Sequence, residues 1–308
     1  MATVRLGLLA SWLAGALCCA PVVLLDNGSL RAAAALALRA TASSLARQLG
    51  RDVAPASLRF SDSIGAEELG GEGAWLLRDA LRAYEARGMS RAVVVPLFLG
   101  PSASLEKGVD ACLTELRAEG LGLEVHLGRC LVDLEEQASD DRVACALAAL
   151  VEEVAEARGI STPLRVIVVD HGTPSPKVNA VREHLAAGVR SALGERASEV
   201  AAASMERREG AKYDFNEPLL EGLLQQTPFN KGDVILAMAF LLPGRHAGEG
   251  GDIAQIIQHS EKNSPGLRVH PTPLLAAQPL IHKVLRERAL AAEMMPVLQT
   301  GTQATSNL

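Results

Sequence analysis

Two histidines of this chain stand where a turn follows a run of apolar residues. His171 lies in an Asp-His-Gly-Thr turn after the run 166–169, and His246 lies in a Pro-Gly-Arg-His turn after the run 234–242. Imidazole is the commonest side-chain ligand of transition metals, and it also exchanges protons near neutral pH. Two imidazoles brought to one place could therefore bind a metal ion or accept a proton.

Short apolar runs and longer helical segments alternate around these turns. Apolar residues recur every three or four positions from Val178, which predicts a helix, and similar patterns predict helices within 30–49, 75–86, 219–226, 253–259 and from residue 143 to Gly159. Repetition of strand, helix and parallel strand predicts an α/β fold with doubly wound parallel sheets. Ligands of such sheets bind at the carboxyl ends of the strands, where we expect both histidines.

Three segments of the first half recur in the second half at nearly constant spacing. The pairs are 22–29 with 166–173, 96–104 with 238–246, and 123–126 with 267–270. This pattern predicts a tandem duplication. Asn27 and Ser104 stand in the first half where the second has His171 and His246, so the first copy is expected to be degenerate. We expect two similar domains, 21–158 and 159–298, with a cleft between them, preceded by a targeting segment or extension (1–20) and followed by a flexible tail (299–308).

Composition limits the partners of the chain. The formal net charge is -6, which argues against nucleic acid. The five cysteines show no metal-binding spacing and are predicted to be buried small hydrophobes in a reducing, cytoplasmic setting. The apolar stretch 6–20 is too short to span a membrane but is similar to the core of a signal peptide, so export or an organellar location stays the alternative to an upstream extension.

The second-half turns resemble the sirohydrochlorin chelatase family, the small class II chelatases that insert cobalt or iron into a tetrapyrrole. The resemblance rests on the strand leading to Asp-His-Gly-Thr-Pro and on Phe-Leu-Leu-Pro-Gly-Arg-His followed by Gly-Gly-Asp. It implies that His171 and His246 take up the divalent metal and help to remove pyrrole protons. The family's Glu-Pro pair matches Glu217-Pro218, which makes Glu217 a candidate proton acceptor, although a helix-capping role is equally open.

The implied substrates are an anionic tetrapyrrole and Co²⁺ or Fe²⁺, without an organic cofactor. A substrate with several carboxylates needs cations at the rim of the cleft. We expect Gly244, Arg245 and Thr173 to contact the substrate, together with Arg207 and Arg208 of a charged segment, 205–216, that could form a lid. Further rim cations are expected at Lys177, Arg182 and Lys212.

Other polar residues are assigned more modest roles. His126 and His270 occupy equivalent places in both halves and are expected to serve the fold, while His184, His259 and His282 are not assigned to the site. Asp252 is most simply a helix N-cap. The opposite wall of the cleft could be lined by first-half residues, namely Asp26, Asn27, Ser29, Arg31, Ser102 and Ser104.

Two alternatives to a metal-inserting enzyme remain at this point. A protein that binds metal or tetrapyrrole without turnover would fit the degenerate first half, and an exported scavenging or structural protein would fit the apolar stretch 6–20. Neither the metal nor the tetrapyrrole follows from the residues, because imidazole and carboxylate ligands suit several divalent ions. A monomer and a homodimer are both compatible with a duplicated chain.

Overall fold

A computed structural model describes residues 20–135 and 141–299 and places them in two parallel β-sheets with flanking helices. The first sheet has the order β3-β2-β1-β4-β5 and contains β1 (Val22–Asp26), β2 (Val53–Ser57), β3 (Trp75–Leu76), β4 (Arg91–Pro96) and β5 (Glu124–Leu127). The second has the order β7-β6-β8-β9 and contains β6 (Leu164–Asp170), β7 (Ala197–Ser204), β8 (Gly232–Met238) and β9 (Leu267–Pro271). The predicted α/β fold with two parallel-sheet domains is confirmed.

Eight α-helices connect and cover these strands within the described ranges. They are α1 (Ala32–Leu49), α2 (Leu77–Ala86), α3 (Ala103–Ala118), α4 (Arg142–Arg158), α5 (Pro176–Leu193), α6 (Leu220–Leu223), α7 (Asp252–Asn263) and α8 (Pro279–Ala292). Helix α4 ends at Gly159 in the left-handed conformation, with φ of 62°. Glycine adopts this conformation without a steric penalty, so the predicted helix end at Gly159 is confirmed.

Helices shared between the two sheets build a common core. Helix α4 follows the first sheet in the chain but packs against β8, and α8 follows the second sheet but packs against β4. The central strands β1 and β6 are apolar and buried, as expected for parallel strands covered on both faces. One continuous apolar cluster therefore joins residues of both domains, which fixes the two sheets relative to each other.

Several element boundaries differ from the sequence-based expectation. The helix expected within 75–86 starts only at Leu77, because Trp75 and Leu76 pair with the edge of β2. The helix expected within 219–226 is limited to α6 and contains Gly222, a poor helix former. The strand expected within 234–242 ends at Met238, because the carbonyls of Phe240 and Leu241 accept hydrogen bonds from the amides of the 275–277 turn instead of from the sheet.

The cysteine prediction was wrong at one position. Cys130 is buried and Cys112 is partly buried, and burial raises the pKa of the Cys130 thiol to about 12 and that of Cys112 to about 11. Cys145 is exposed, because it lies on the outer face of α4. Cys18 and Cys19 lie outside the described residues, as does nearly all of the segments 1–20 and 299–308. None of the helices in the described ranges is long and apolar enough to cross a membrane.

Candidate functional site

The two histidines predicted to act together lie in contact at the carboxyl ends of β6 and β8. The Nε2 atoms of His171 and His246 are 3.1 Å apart, and the ring centroids are 4.4 Å apart in an edge-to-face arrangement. Two imidazole nitrogens that bind one tetrahedral ion at about 2.0–2.1 Å stand roughly 3.3 Å apart. The observed separation is therefore suitable for two ligands of a single metal ion.

Hydrogen bonds to the other ring nitrogens determine which nitrogen of each histidine is free. Nδ1 of His171 is 3.0 Å from the carbonyl oxygen of Gly172, and Nδ1 of His246 is 2.6 Å from Oδ2 of Asp252. Both oxygens can only accept, so the tautomers that satisfy these two contacts carry the hydrogen on Nδ1 and leave Nε2 available as a metal ligand. A metal ion bound by both rings would then be held through the two Nε2 atoms.

Asp252 is the residue that orients His246. We expected it to be an N-cap, but Gly251 is the N-cap of α7 and Asp252 is the first helical residue. From there its carboxylate reaches back to Nδ1 of His246, with the two side chains 32% and 29% exposed. A carboxylate behind a histidine fixes its tautomer and strengthens its opposite nitrogen as a metal ligand.

Glu206 is the acidic neighbour of the pair, and the sequence reasoning did not single it out. Its Oε1 lies 3.3 Å from Nε2 of His171, just after the carboxyl end of β7. The sequence signal was present, because β7 is the parallel neighbour of β6 and an acid that follows it must lie near the turn after β6. Within the described ranges no three His, Cys, Asp or Glu side chains are arranged to hold a metal ion by themselves. We therefore describe a two-imidazole site with a carboxylate beside it.

A buried polar network supports the turn that carries His171. Arg182 was expected at the rim of the cleft, but its side chain is 1% exposed, because it lies on the face of α5 that packs on the sheet. It donates to the Ser204 hydroxyl and to the Asn216 carbonyl oxygen, and it lies 3.6 Å from Asp170. Burial raises the pKa of Asp170, and the guanidinium of Arg182 offsets part of that effect.

Thr173 is held by the same network. Its amide donates to Oδ1 of Asn216 at 2.8 Å, and its carbonyl oxygen accepts from Nδ2 of Asn216 at 2.9 Å. Asn216 is fully buried at the end of the 211–216 turn. This reciprocal pair of hydrogen bonds ties the histidine turn to the charged segment that was expected to form a lid.

Glu217 directly follows that segment and is engaged by other groups. Its Oε1 lies 2.8 Å from Nε of Arg207, and its Oε2 accepts from the amide of Leu219 at 2.9 Å. Arg207 also binds Asp214 at 2.7 Å. Glu217 thus makes a local turn contact and an ion pair, while Arg207 is neutralised by two carboxylates.

The other cations predicted to contact substrate lie at the surface. Arg245 is 78% exposed and lies 3.8 Å from Asp252. Arg208 and Lys212 both lie over the ring of Tyr213, at 5.9 and 5.0 Å from its centroid. Lys177 forms an exposed ion pair with Glu135, and the Gly244 carbonyl accepts from the Gly248 amide.

The remaining histidines contact groups that belong to the fold. His126 binds the Met295 carbonyl, and His270 binds Asp233, whose carboxylate also binds Arg268. His184, His259 and His282 lie near Asp141, Glu221 and Ser44 respectively. A separate cavity of about 540 Å³ lies in the first domain between α1 and β2, and neither His171 nor His246 lines it.

Comparison with known proteins gives a family match within the second domain. Residues 165–292 match the CbiX family. The resemblance predicted from the sequence is therefore confirmed for the domain that carries both histidines. No curated protein sequence matches the chain.

Solved structures extend the fold similarity over both domains. The chain is similar to SirB from Bacillus subtilis with Fe³⁺, at 13% identity and a TM-score of 0.64, covering 89% of this chain and 95% of that one. It is similar to the cobalt complex of the sirohydrochlorin chelatase SirB from Bacillus subtilis subspecies spizizenii, at 14% identity and a TM-score of 0.65, covering 89% and 96%. A multi-domain protein from Deinococcus radiodurans with structural similarity to chelatases matches at 19% identity and a TM-score of 0.58, covering 88% and 55%. At these identities the similarity establishes the fold.

Proposed function

We propose that this protein is a chelatase that inserts a divalent cation, cobalt or iron, into sirohydrochlorin or a related anionic tetrapyrrole. The observation that carries the proposal is the 3.1 Å approach of the Nε2 atoms of His171 and His246, each with its Nδ1 bonded to an acceptor. The CbiX match of this domain and the metal-bound SirB structures of the same fold support it. The proposal needs no organic cofactor.

The chemistry of metal insertion suits a site of this kind. An entering M²⁺ ion displaces two N–H protons from the macrocycle, so the site must hold the ion weakly and accept protons. Two imidazoles leave most coordination positions of an ion open, so that the pyrrole nitrogens can replace them. As the ion leaves, the freed Nε2 atoms become the nearest bases.

Glu206 and Glu217 are the candidate carboxylates for further proton transfer. Glu206 is the better placed, since its Oε1 is 3.3 Å from Nε2 of His171 and its side chain is 57% exposed. Glu217 is held by an ion pair with Arg207, whose Nε lies 2.8 Å from its Oε1, and by the Leu219 amide, so its carboxylate is already engaged. Of the two carboxylates, we therefore assign to Glu206 the role of accepting protons onward from the histidines and keep Glu217 as a rim residue. Arg245 and Arg208 are proposed to face the substrate carboxylates.

The experiment is a metal-insertion assay on the purified full-length protein. Sirohydrochlorin is incubated with Co²⁺ or Fe²⁺, and the absorbance change is followed against the reaction without protein. We expect the wild type to accelerate metal insertion and His171→Ala and His246→Ala not to do so. The control is His259→Ala, which replaces an exposed histidine near Glu221 and should accelerate insertion like the wild type. A wild type that binds sirohydrochlorin without acceleration would instead favour the alternative of a non-catalytic binding protein.

The tandem duplication, the domain division between 158 and 159, and the cytoplasmic location stay part of this proposal. The shared strand order of the two sheets, apart from the edge strand β3, supports the duplication. Monomer and homodimer remain alternatives, and the size of the protein in solution distinguishes them.

A further inference from the structure

The first domain contains a turn with the same backbone conformation as the turn that carries His171. Gly28 and Gly172 both have φ of 89°. A β-carbon on Gly28 would lie 1.7 Å from the carbonyl oxygen of Arg59, and one on Gly172 would lie 1.9 Å from that of Glu206. Each glycine turn therefore packs against the second residue after the end of the next strand, β2 or β7. Arg59 occupies in the first domain the position that Glu206 occupies in the second.

The charge at these equivalent positions is reversed. The second domain has His171 beside Glu206, whereas the first has Asn27 beside Arg59, with NH2 of Arg59 donating to Oδ1 of Asn27 at 3.0 Å. No carboxylate in the described part of the chain lies within ion-pair distance of Arg59, and most of its five N–H donors stay available. The same turn therefore places a histidine beside a carboxylate in the second domain and an exposed, anion-binding guanidinium in the first.

Phe60 adds an apolar surface to this cation. Its side chain is 49% exposed, and the guanidinium of Arg59 lies 5.2 Å from the ring centroid. Its φ of 71° is unusual for a bulky residue, and strained backbone of this kind concentrates at ligand sites. An exposed ring beside an unpaired guanidinium suits a flat ligand with peripheral carboxylates.

The loop that follows β4, at the carboxyl edge of the first sheet, packs against the helix that follows the His171 turn. Gly100, just after β4, lies against Val181, since a β-carbon on Gly100 would be 2.6 Å from that side chain. Val181 belongs to the second turn of α5, the helix that follows the His171 turn. Arg31, at the start of α1, is a second exposed arginine at this end of the first sheet, and Asp62 is the nearest acid after Phe60 in the chain.

We propose that Arg59, together with Phe60, binds a peripheral carboxylate of the tetrapyrrole that the second domain metallates. The first domain then anchors the substrate. It has Asn27 and Arg59, which bind an anion, where the second domain has His171 and Glu206, which suit a cation. This inference rests on the proposed function for the identity of the ligand. The binding event itself requires no metal and no turnover.

The test measures binding of metal-free porphyrins by fluorescence. Uroporphyrin, with eight carboxylates, is compared with mesoporphyrin, with two, for the wild type, Arg59→Ala, Arg59→Lys and the control Arg47→Ala. Arg47 is an exposed arginine in the last turn of α1, at the opposite end of the first domain. We expect Arg59→Ala to weaken uroporphyrin binding about tenfold, with a smaller effect on mesoporphyrin, and Arg59→Lys to restore most of the affinity.

The outcomes separate this inference from the proposed function. Uroporphyrin binding by Arg59→Ala that equals that of Arg47→Ala overturns the anchoring role, and so does a wild type that binds neither porphyrin. A wild type that inserts no metal, but loses uroporphyrin affinity on Arg59→Ala, contradicts the proposed function while supporting the anchor. In a chelatase, Arg59→Ala should raise KM for the tetrapyrrole and leave kcat unchanged.

Discussion

Replacement of Asp26 by asparagine should stabilise the protein at neutral pH but not in acid. Asp26 is 8% exposed, and its Oδ1 has no hydrogen-bond partner. Burial raises the pKa of its carboxyl from 3.8 to about 6, although Ser57 and the Gly28 amide offset part of the shift. Its second-domain counterpart Asp170 has the guanidinium of Arg182 nearby.

The size and direction of the effect follow from linkage. A carboxyl whose folded-state pKa is raised stabilises the fold below its unfolded pKa, and this contribution is lost as the pH rises through the folded value. The shift from 3.8 to about 6 corresponds to about 3 kcal/mol, at 1.36 kcal/mol per pKa unit. An asparagine side chain does not titrate, so the Asp26→Asn variant does not lose this free energy of unfolding as the pH rises.

Urea unfolding of both proteins across this pH range measures the effect. We expect the free energy of unfolding of Asp26→Asn, relative to the wild type, to rise by about 2 kcal/mol between about pH 4 and pH 8. The control Asp62→Asn, at an exposed turn position, should show no such trend. A difference between Asp26→Asn and the wild type that does not change with pH would contradict a raised pKa of the Asp26 carboxyl.

Two further predictions concern Asp252, which bonds to His246, and Arg182, which supports the turn that carries His171. Asp252→Asn should weaken Co²⁺ binding about 10- to 100-fold without unfolding the protein, because it removes the carboxylate 2.6 Å from Nδ1 of His246; calorimetric titration checks this, and an unchanged affinity would contradict the role. Arg182→Met should lower the free energy of unfolding by about 3–5 kcal/mol, because it leaves the buried Asp170 without its cation. In urea unfolding, adding Asp170→Asn should recover part of this loss, and a fully additive double variant would show that the two side chains are not coupled.

The fold could be predicted largely from patterns that act locally. Apolar runs followed by helical periodicity indicated parallel α/β domains, and Gly159 marked a helix end that the left-handed conformation requires. The exchange of α4 and α8 between the sheets could not be predicted, because it depends on which sheet each amphipathic helix meets in the assembled core. The end of β8 at Met238 was also missed, because the residues that follow it are apolar but hydrogen-bond to the distant 275–277 turn.

The site was predictable where chemistry follows directly from position. His171 and His246 stand after strands and were expected to meet, as the structure shows. Arg182 was misplaced at the rim because sequence alone does not tell that an arginine turns inward toward Asp170. Glu206 and Asp252 were overlooked as partners, because their roles depend on contacts between residues far apart in the chain or across a turn.

Co²⁺ binding by the full-length protein in the absence of tetrapyrrole tests most directly whether the two imidazoles form one metal site. We expect one ion per chain, and a loss of affinity of at least about 10- to 100-fold in His171→Ala and in His246→Ala. The exposed control His259→Ala should keep the wild-type affinity. If either His171→Ala or His246→Ala binds Co²⁺ as tightly as the wild type, the two imidazoles do not form one metal site.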